Sequence, residues 1–112
     1  MSKQKKIYVS TPIYYASGNP HIGHAYTTIL ADAFASYNKL MGNDVLLLSG
    51  MDEHGQKISE KASAAKMEAQ AFVDSVAAKF KDLWNKLDIK FDCFVRTSSQ
   101  EHVEVIQKVF EK

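Results

Sequence analysis

Val45-Leu46-Leu47-Leu48 is a wholly apolar run between two stretches of helical periodicity, and it constrains the fold more than any other part of the chain. It is too short for a helix and lacks polar alternation, so it reads as a strand of a parallel sheet covered on both faces. The segments around it fit that reading. Ile7 to Thr11 is rich in β-branched and aromatic residues and stops at Pro12, as a first strand would. Tyr14 to Pro20 reads as a loop, with the dense turn signal Ser17-Gly18-Asn19-Pro20. From Ile22, apolar residues recur at helical spacing through Tyr26, Ile29, Leu30, Ala33, Phe34, Tyr37, Leu40 and Met41, and Gly42 supplies a C-terminal stop.

After the central strand comes a loop, Gly50 to Gly55, then a weakly amphipathic helix from Gln56 to about Lys66. Phe72, Val73, Val76, Phe80, Leu83, Trp84 and Leu87 form a strong helical stripe that reads as core. Phe91 to Arg96 reads as a third strand, and Ser98-Ser99-Gln100-Glu101 as a capping box opening a last helix through Phe110. The order strand-helix-strand-helix-helix-strand-helix implies an α/β fold with about three parallel strands. In such sheets ligands bind beyond the carboxyl ends of the strands. Both Pro12 to His21 and Gly50 to Gly55 lie at that end.

Composition narrows the function classes. The chain of 112 residues is one small domain, and its net charge of +1, with acids and bases nearly matched, gives no indication of non-specific nucleic-acid binding by charge alone. The single Cys93 cannot form an internal disulfide, which fits a reducing compartment. Lys3, Lys5 and Lys6 precede a segment too polar for a signal peptide. No apolar run approaches the roughly 20 residues that span a bilayer, so the expected setting is soluble and cytoplasmic, with no membrane partner.

His21-Ile22-Gly23-His24 carries the chemistry. Two histidines three residues apart share a face of a helix turn, where free N–H groups and the positive dipole end suit a phosphate. Gly23 lets a flat base or phosphate approach the backbone, and Pro20 fixes the approach of the chain. The bland reading is a pair of helix-start histidines satisfied locally. The glycine, the proline and the upstream strand favour the nucleotide reading. A zinc site lacks a ligand set, because Cys93 is the only thiol, so no metal is expected here.

Asp52-Glu53-His54-Gly55 has two readings. Loop acids are usually solvated, and Asp52 could cap the following helix. Alternatively its carboxylate holds the ammonium of a small substrate. Beside the histidine motif we favour the substrate role for Asp52, with His54 undecided. Tyr14, Tyr15 and Tyr26 are core or rim aromatics by default, and Tyr15 is placed to wall an apolar pocket.

The segment S-T-P-I-Y-Y-A-S-G-N-P-H-I-G-H-A-Y-T-T (Ser10 to Thr28) resembles the signature of class I aminoacyl-tRNA synthetases, and within them the methionyl-tRNA synthetase family. The H-I-G-H tetrapeptide marks the whole class. The T-P-I-Y-Y lead-in and the G-M-D-E-H-G loop are more selective, and the similarity extends to K-F-K-D-L-W (Lys79 to Trp84) and F-V-R-T (Phe94 to Thr97). The resemblance implies a Rossmann-like catalytic domain that joins methionine to ATP, with its Mg2+, and then transfers methionine to tRNA(Met). By that resemblance His21 and His24 stabilise the phosphates as catalytic residues, and Gly23 and Pro20 complete the ATP side, Gly23 against the adenine. Asp52 holds the methionine ammonium, and Ile13 and Tyr15 shape the amino-acid pocket.

The family's second signature, a K-M-S-K-S-type lysine loop, is absent from these residues. So are the connective insertion, the second half of the sheet and the anticodon-binding helices. Residues 1–112 are therefore expected to be the N-terminal half of the catalytic domain, incomplete alone. In the family the first strand is interior. Ile7 to Thr11 is thus expected to keep an unpaired edge here, and the chain to self-associate, loosen its sheet or bind its missing half.

Overall fold

The computed structural model describes residues 3–112, as an α/β sheet of parallel strands flanked by helices. In chain order the elements are β1 (Lys6–Ser10), β2 (Tyr14–Tyr15), α1 (Ile22–Leu40), β3 (Asp44–Asp52), α2 (Gln56–Ala64), α3 (Ala69–Lys86), β4 (Cys93–Arg96) and α4 (Gln100–Phe110). The strands number four rather than about three, because Tyr14–Tyr15 resumes pairing inside what the turn signal suggested was all loop.

β3 is the centre of the sheet. Leu48 is the register partner of both Ser10 and Cys93, and Met51 of both Tyr14 and Arg96. A strand has two sides, so β1 and β2 lie along one side of β3 and β4 lies along the other. β1 pairs with β3 alone among the described strands, leaving its outer edge free as expected.

The step from β1 to β2 contains an offset. Ser10 to Tyr14 spans four residues, whereas their partners Leu48 and Met51 are separated by three. Pro12, without an N–H, sits where the ladder is interrupted, and the extra residue reverses the side-chain alternation. Thr11 points inward and is buried, its hydroxyl 2.7 Å from that of Ser49. Beyond the offset Tyr14 and Ala16 are the buried residues instead.

One face of the sheet is covered. Val45, Leu47 and Met51 alternate onto it, the first two packing on Ala35 of α1 and Met51 within the cluster of Val73, Val76, Phe80 and Trp84 from α3. Full burial of each large apolar side chain stabilises by about 1.5–3 kcal/mol, so α3 is the main anchor. The other face, with Tyr8 and Leu46, is exposed. The apolar run in β3 therefore is not covered on both faces within these residues, contrary to expectation.

α1 ends as read: Gly42 adopts φ 84° just beyond the cap residue Met41, and Asn43 N–H closes on Asn38 C=O at 3.0 Å. Its orientation is less expected. The buried residues are Thr28, Ala35 and Asn38, while Ile22, Tyr26, Ile29, Leu30, Phe34, Tyr37, Leu40 and Met41 are exposed. Small residues let the helix lie close on β3, and the large apolar stripe faces outward. At the last helix the cap is Ser99, not Ser98, its hydroxyl accepting from His102 N–H.

Candidate functional site at the carboxyl edge of the sheet

His21 is the N-cap of α1 rather than a residue within it, held in extended backbone at φ −131° and ψ 177°. Its Nδ1 accepts from Gly23 N–H at 3.0 Å, and His24 Nδ1 accepts from His21 N–H at 3.0 Å. This is the reciprocal box usually built by Ser and Glu, made here by two imidazoles. The rings stack with centroids 3.8 Å apart. A Cβ at Gly23 would come within 2.9 Å of the His21 ring, so this glycine makes room for the imidazole. Part of the backbone donor set expected to be free for a phosphate is thus already used.

The bonding fixes the protons. An Nδ1 that accepts from an amide carries a lone pair, so each neutral ring bears its hydrogen on Nε2. Burial holds the His24 pKa below the ordinary histidine value, and the neighbouring His21 lowers it further. Among the described residues neither Nε2 has a hydrogen-bond partner, so the pair keeps two N–H donors available. His24 rests edge-on against Tyr14 and Phe80, each with ring centroids 4.9 Å away, and Tyr14 hydroxyl bonds Thr28 at 2.7 Å. Tyr14, read as an ordinary core aromatic, is the support under His24. Half-buried Pro20 leads into the cap, and Lys79 of α3 tethers the preceding turn through Asn19 at 2.9 Å.

Tyr15 and Asp52 are register partners in adjacent parallel strands, so their side chains leave the same face, the open one. Ile13 joins them: its Cγ2 lies 3.1 Å from where a Cβ at Gly50 would stand. The Tyr15 hydroxyl occupies the space that a Cβ on Gly55 would need, and Gly55 itself has φ 130°. Ile13, Tyr15 and Asp52 are thus brought together. The histidine pair lies at the same carboxyl edge on the helix-covered side, reached through Tyr14, so the two groups flank the edge rather than share one wall.

Adjacent carboxylates differ completely. Asp52 is half-buried and, among the described residues, its carboxylate has no hydrogen-bond or ion-pair partner. It does not cap α2, whose N-cap is Gly55. Glu53, grouped with solvated loop acids by its sequence context, has a side chain with no exposure. It accepts from Arg96 Nε at 3.0 Å and Ser98 hydroxyl at 2.8 Å, and its N–H donates to Thr97 Oγ1 at 2.8 Å. Arg96 also binds Asp74 of α3 at 2.6 Å, and this bond holds the Asp74 carboxyl below the usual carboxylate range. Burial works against the Arg96 charge, but its two carboxylate partners outweigh burial and raise its pKa. Exposed His54 has a hydrogen bond between its Nε2 and Thr97 C=O, at 3.2 Å.

Comparison with known proteins follows the same lines. The family model described as tRNA synthetases class I (M) matches residues 7–112. Methionine--tRNA ligase of Ureaplasma parvum serovar 3 is 56% identical over 110 residues, covering 98% of this chain and 21% of that protein. The ligase of Halalkalibacterium halodurans is 51% identical over 113 residues, covering 100% of this chain and 17% of that protein. Mycobacterium tuberculosis methionyl-tRNA synthetase in complex with methionyl-adenylate superposes with a TM-score of 0.91 at 37% identity, over 96% of this chain and 21% of that one. The chain thus spans about a fifth of the length of these relatives.

Proposed function

As the chain belongs to the class I tRNA synthetases (M), we propose that residues 1–112 are the N-terminal half of a catalytic domain that activates methionine with ATP and charges tRNA(Met). The observation that carries this reading is the contrast between Glu53, fully engaged, and Asp52, free beside Tyr15 and Ile13 on the open face. A free carboxylate next to an aromatic and a branched aliphatic side chain suits an amino acid with an apolar side chain. Asp52 accepts the ammonium, and Ile13 and Tyr15 form the wall. Across the edge, His21 and His24 direct their Nε2–H groups at the phosphates, while Gly23 and Pro20 border the nucleotide. A two-part ligand such as an aminoacyl adenylate bridges the two groups.

The chemistry is positioning and charge stabilisation. The amino-acid carboxylate attacks the α-phosphorus, a carboxylate O–P bond forms, and the bond to the pyrophosphate leaving group breaks. Neutral Nε2–H donors aimed at the phosphate oxygens stabilise charge that grows there in the transition state. Mg2+ accompanies ATP as part of the substrate. Among the described residues no cluster of three or more His, Cys, Asp or Glu is arranged to hold a metal, so no step is assigned to one. No helix among them is long and apolar enough to cross a membrane. The free β1 edge and the outward stripe of α1 are surfaces for the remaining half of the domain or for a second copy of the chain.

Methionine-dependent exchange of labelled pyrophosphate into ATP tests the reading. In a full-length ligase carrying this segment, His24→Ala and Asp52→Ala are each expected to reduce exchange by about a hundredfold or more. The 112-residue chain alone is expected to show little or none. Exchange that does not respond to methionine in the full-length protein would overturn the assignment.

A further inference from the structure

Asp52 stands at the end of β3, where a chain ordinarily loosens into a loop, yet the residues after it are held on two sides. Toward β2, its own C=O accepts from Ala16 N–H at 2.9 Å. Toward β4, Thr97 N–H reaches Met51 C=O at 3.2 Å, and Glu53 N–H returns to Thr97 Oγ1. The Glu53 carboxylate is closed by Arg96 and Ser98, and Arg96 is fastened to Asp74 on α3. Gln70, also on α3, donates to both Asp74 and Ser98, at 3.0 and 3.2 Å. The strand alternation therefore continues one residue past the formal end of β3. Glu53 is forced to the helix-covered face and Asp52 to the open one.

We propose that Arg96 and Glu53 are positioning residues: their buried ion pair, splinted by Ser98 and Thr97, fixes the backbone from which Asp52 presents its carboxylate to the substrate ammonium. The proposal rests on the reading of Asp52 given above. Neither residue touches substrate. The forked guanidinium holds both carboxylate oxygens of Glu53, and rotation of the peptide between residues 52 and 53 would break that geometry. Without the pair, Asp52 is free to rotate away or to take Arg96 for itself.

The test uses pyrophosphate exchange by a full-length ligase carrying this segment, with KM measured separately for methionine and ATP. Arg96→Met is expected to raise the methionine KM roughly ten- to a hundredfold with little change in the ATP KM, as misplacement of a binding group by about an ångström does. Because Arg96→Met leaves Glu53 buried without its partner, Arg96→Lys and Glu53→Gln provide variants that keep charge or shape. Each should raise the methionine KM several-fold while retaining the wild-type Tm within a few degrees. In an Asp52→Asn background these changes should add nothing further to the methionine KM.

If Asp52→Asn raises the methionine KM and the Arg96 and Glu53 variants do not, the positioning role is overturned and the Asp52 reading stands. Equal rises in both KM values, or effects that multiply with Asp52→Asn, would show a merely structural clip and also overturn it. If Asp52→Asn itself leaves the methionine KM unchanged, the reading of Asp52 falls and takes this inference with it.

Discussion

α1 and α3 are helices of similar length on the same face of the sheet, and they use their apolar residues in opposite ways. α3 turns Val73, Val76, Phe80 and Trp84 inward and buries them. α1 buries Thr28, Ala35 and Asn38 and shows its large side chains to solvent, with Phe34 55% and Ile22 88% exposed. The periodicity of both is helical, so pattern alone does not distinguish them. The difference lies in what each stripe meets. α3 finds its partner surface within this chain, in Tyr14, Met51 and Ile58, whereas the stripe on α1 is matched by no surface among the described residues.

The largest expected effect separates the two helices directly. Phe80→Ala should destabilise the fold by about 3–5 kcal/mol, which for a small domain means unfolding at moderate temperature. Phe34→Ala should change stability by no more than about 0.5 kcal/mol. Urea unfolding of both variants measures this, and comparable losses would mean that α1 too packs its stripe in solution. Next, serine at Tyr26, Phe34 and Tyr37 together should reduce association of the chain without lowering its Tm. Sedimentation velocity across a concentration series checks this. A wild-type chain that stays monomeric throughout would break the reading of α1 as an unpartnered surface.

The smallest effect lies where the two helices meet, at His24 against Phe80. The folded state holds His24 neutral below the ordinary value of about 6.5, so the unfolded chain takes up its proton first as pH falls. Stability should therefore be unaffected well above 6.5. It should decline as pH falls through that value, and the loss should be complete below the lowered pKa. Protonated Nδ1 can no longer accept from His21 N–H, so the cap opens in the same range. Imidazole nitrogen chemical shifts should report the Nε2–H form at neutral pH and a His24 midpoint below 6.5. A midpoint above that value would contradict the buried, stacked geometry.

Much of the fold was legible in the chain. The apolar run of β3, the stripe of α3 and the Gly42 stop all follow from local spacing, which is the kind of information a sequence displays. What escaped depends on distant residues. Glu53 and Arg96 are 43 positions apart, and no local pattern joins them. The one available signal was alternation: two consecutive acids at a strand end must face opposite ways, so one of Asp52 and Glu53 had to be turned inward. Ser98 looked like the helix cap, but Glu53 takes its hydroxyl and Ser99 caps instead. Local satisfaction of the two histidines was the less favoured reading, yet they cap α1 reciprocally, because nothing in the spacing says which ring nitrogen meets which amide. The outward stripe of α1 could be seen as a stripe, but nothing in its spacing says which way it points.

The extra residue at Pro12 behaves like a frameshift in side-chain space. Upstream of it the odd-numbered residues are inside, and downstream the even-numbered ones are, which puts Tyr14 under the imidazoles and Tyr15 beside Asp52. Shortening that link by one would transpose the two tyrosines, so that a single missing codon would dismantle the support for His24 and the wall beside Asp52 at once. The separation of the imidazole pair from the Asp52 side is likewise set by adjacent residues, Tyr14 and Tyr15, and not by a flexible loop. Tolerance to insertion here should be far lower than loop position alone would suggest.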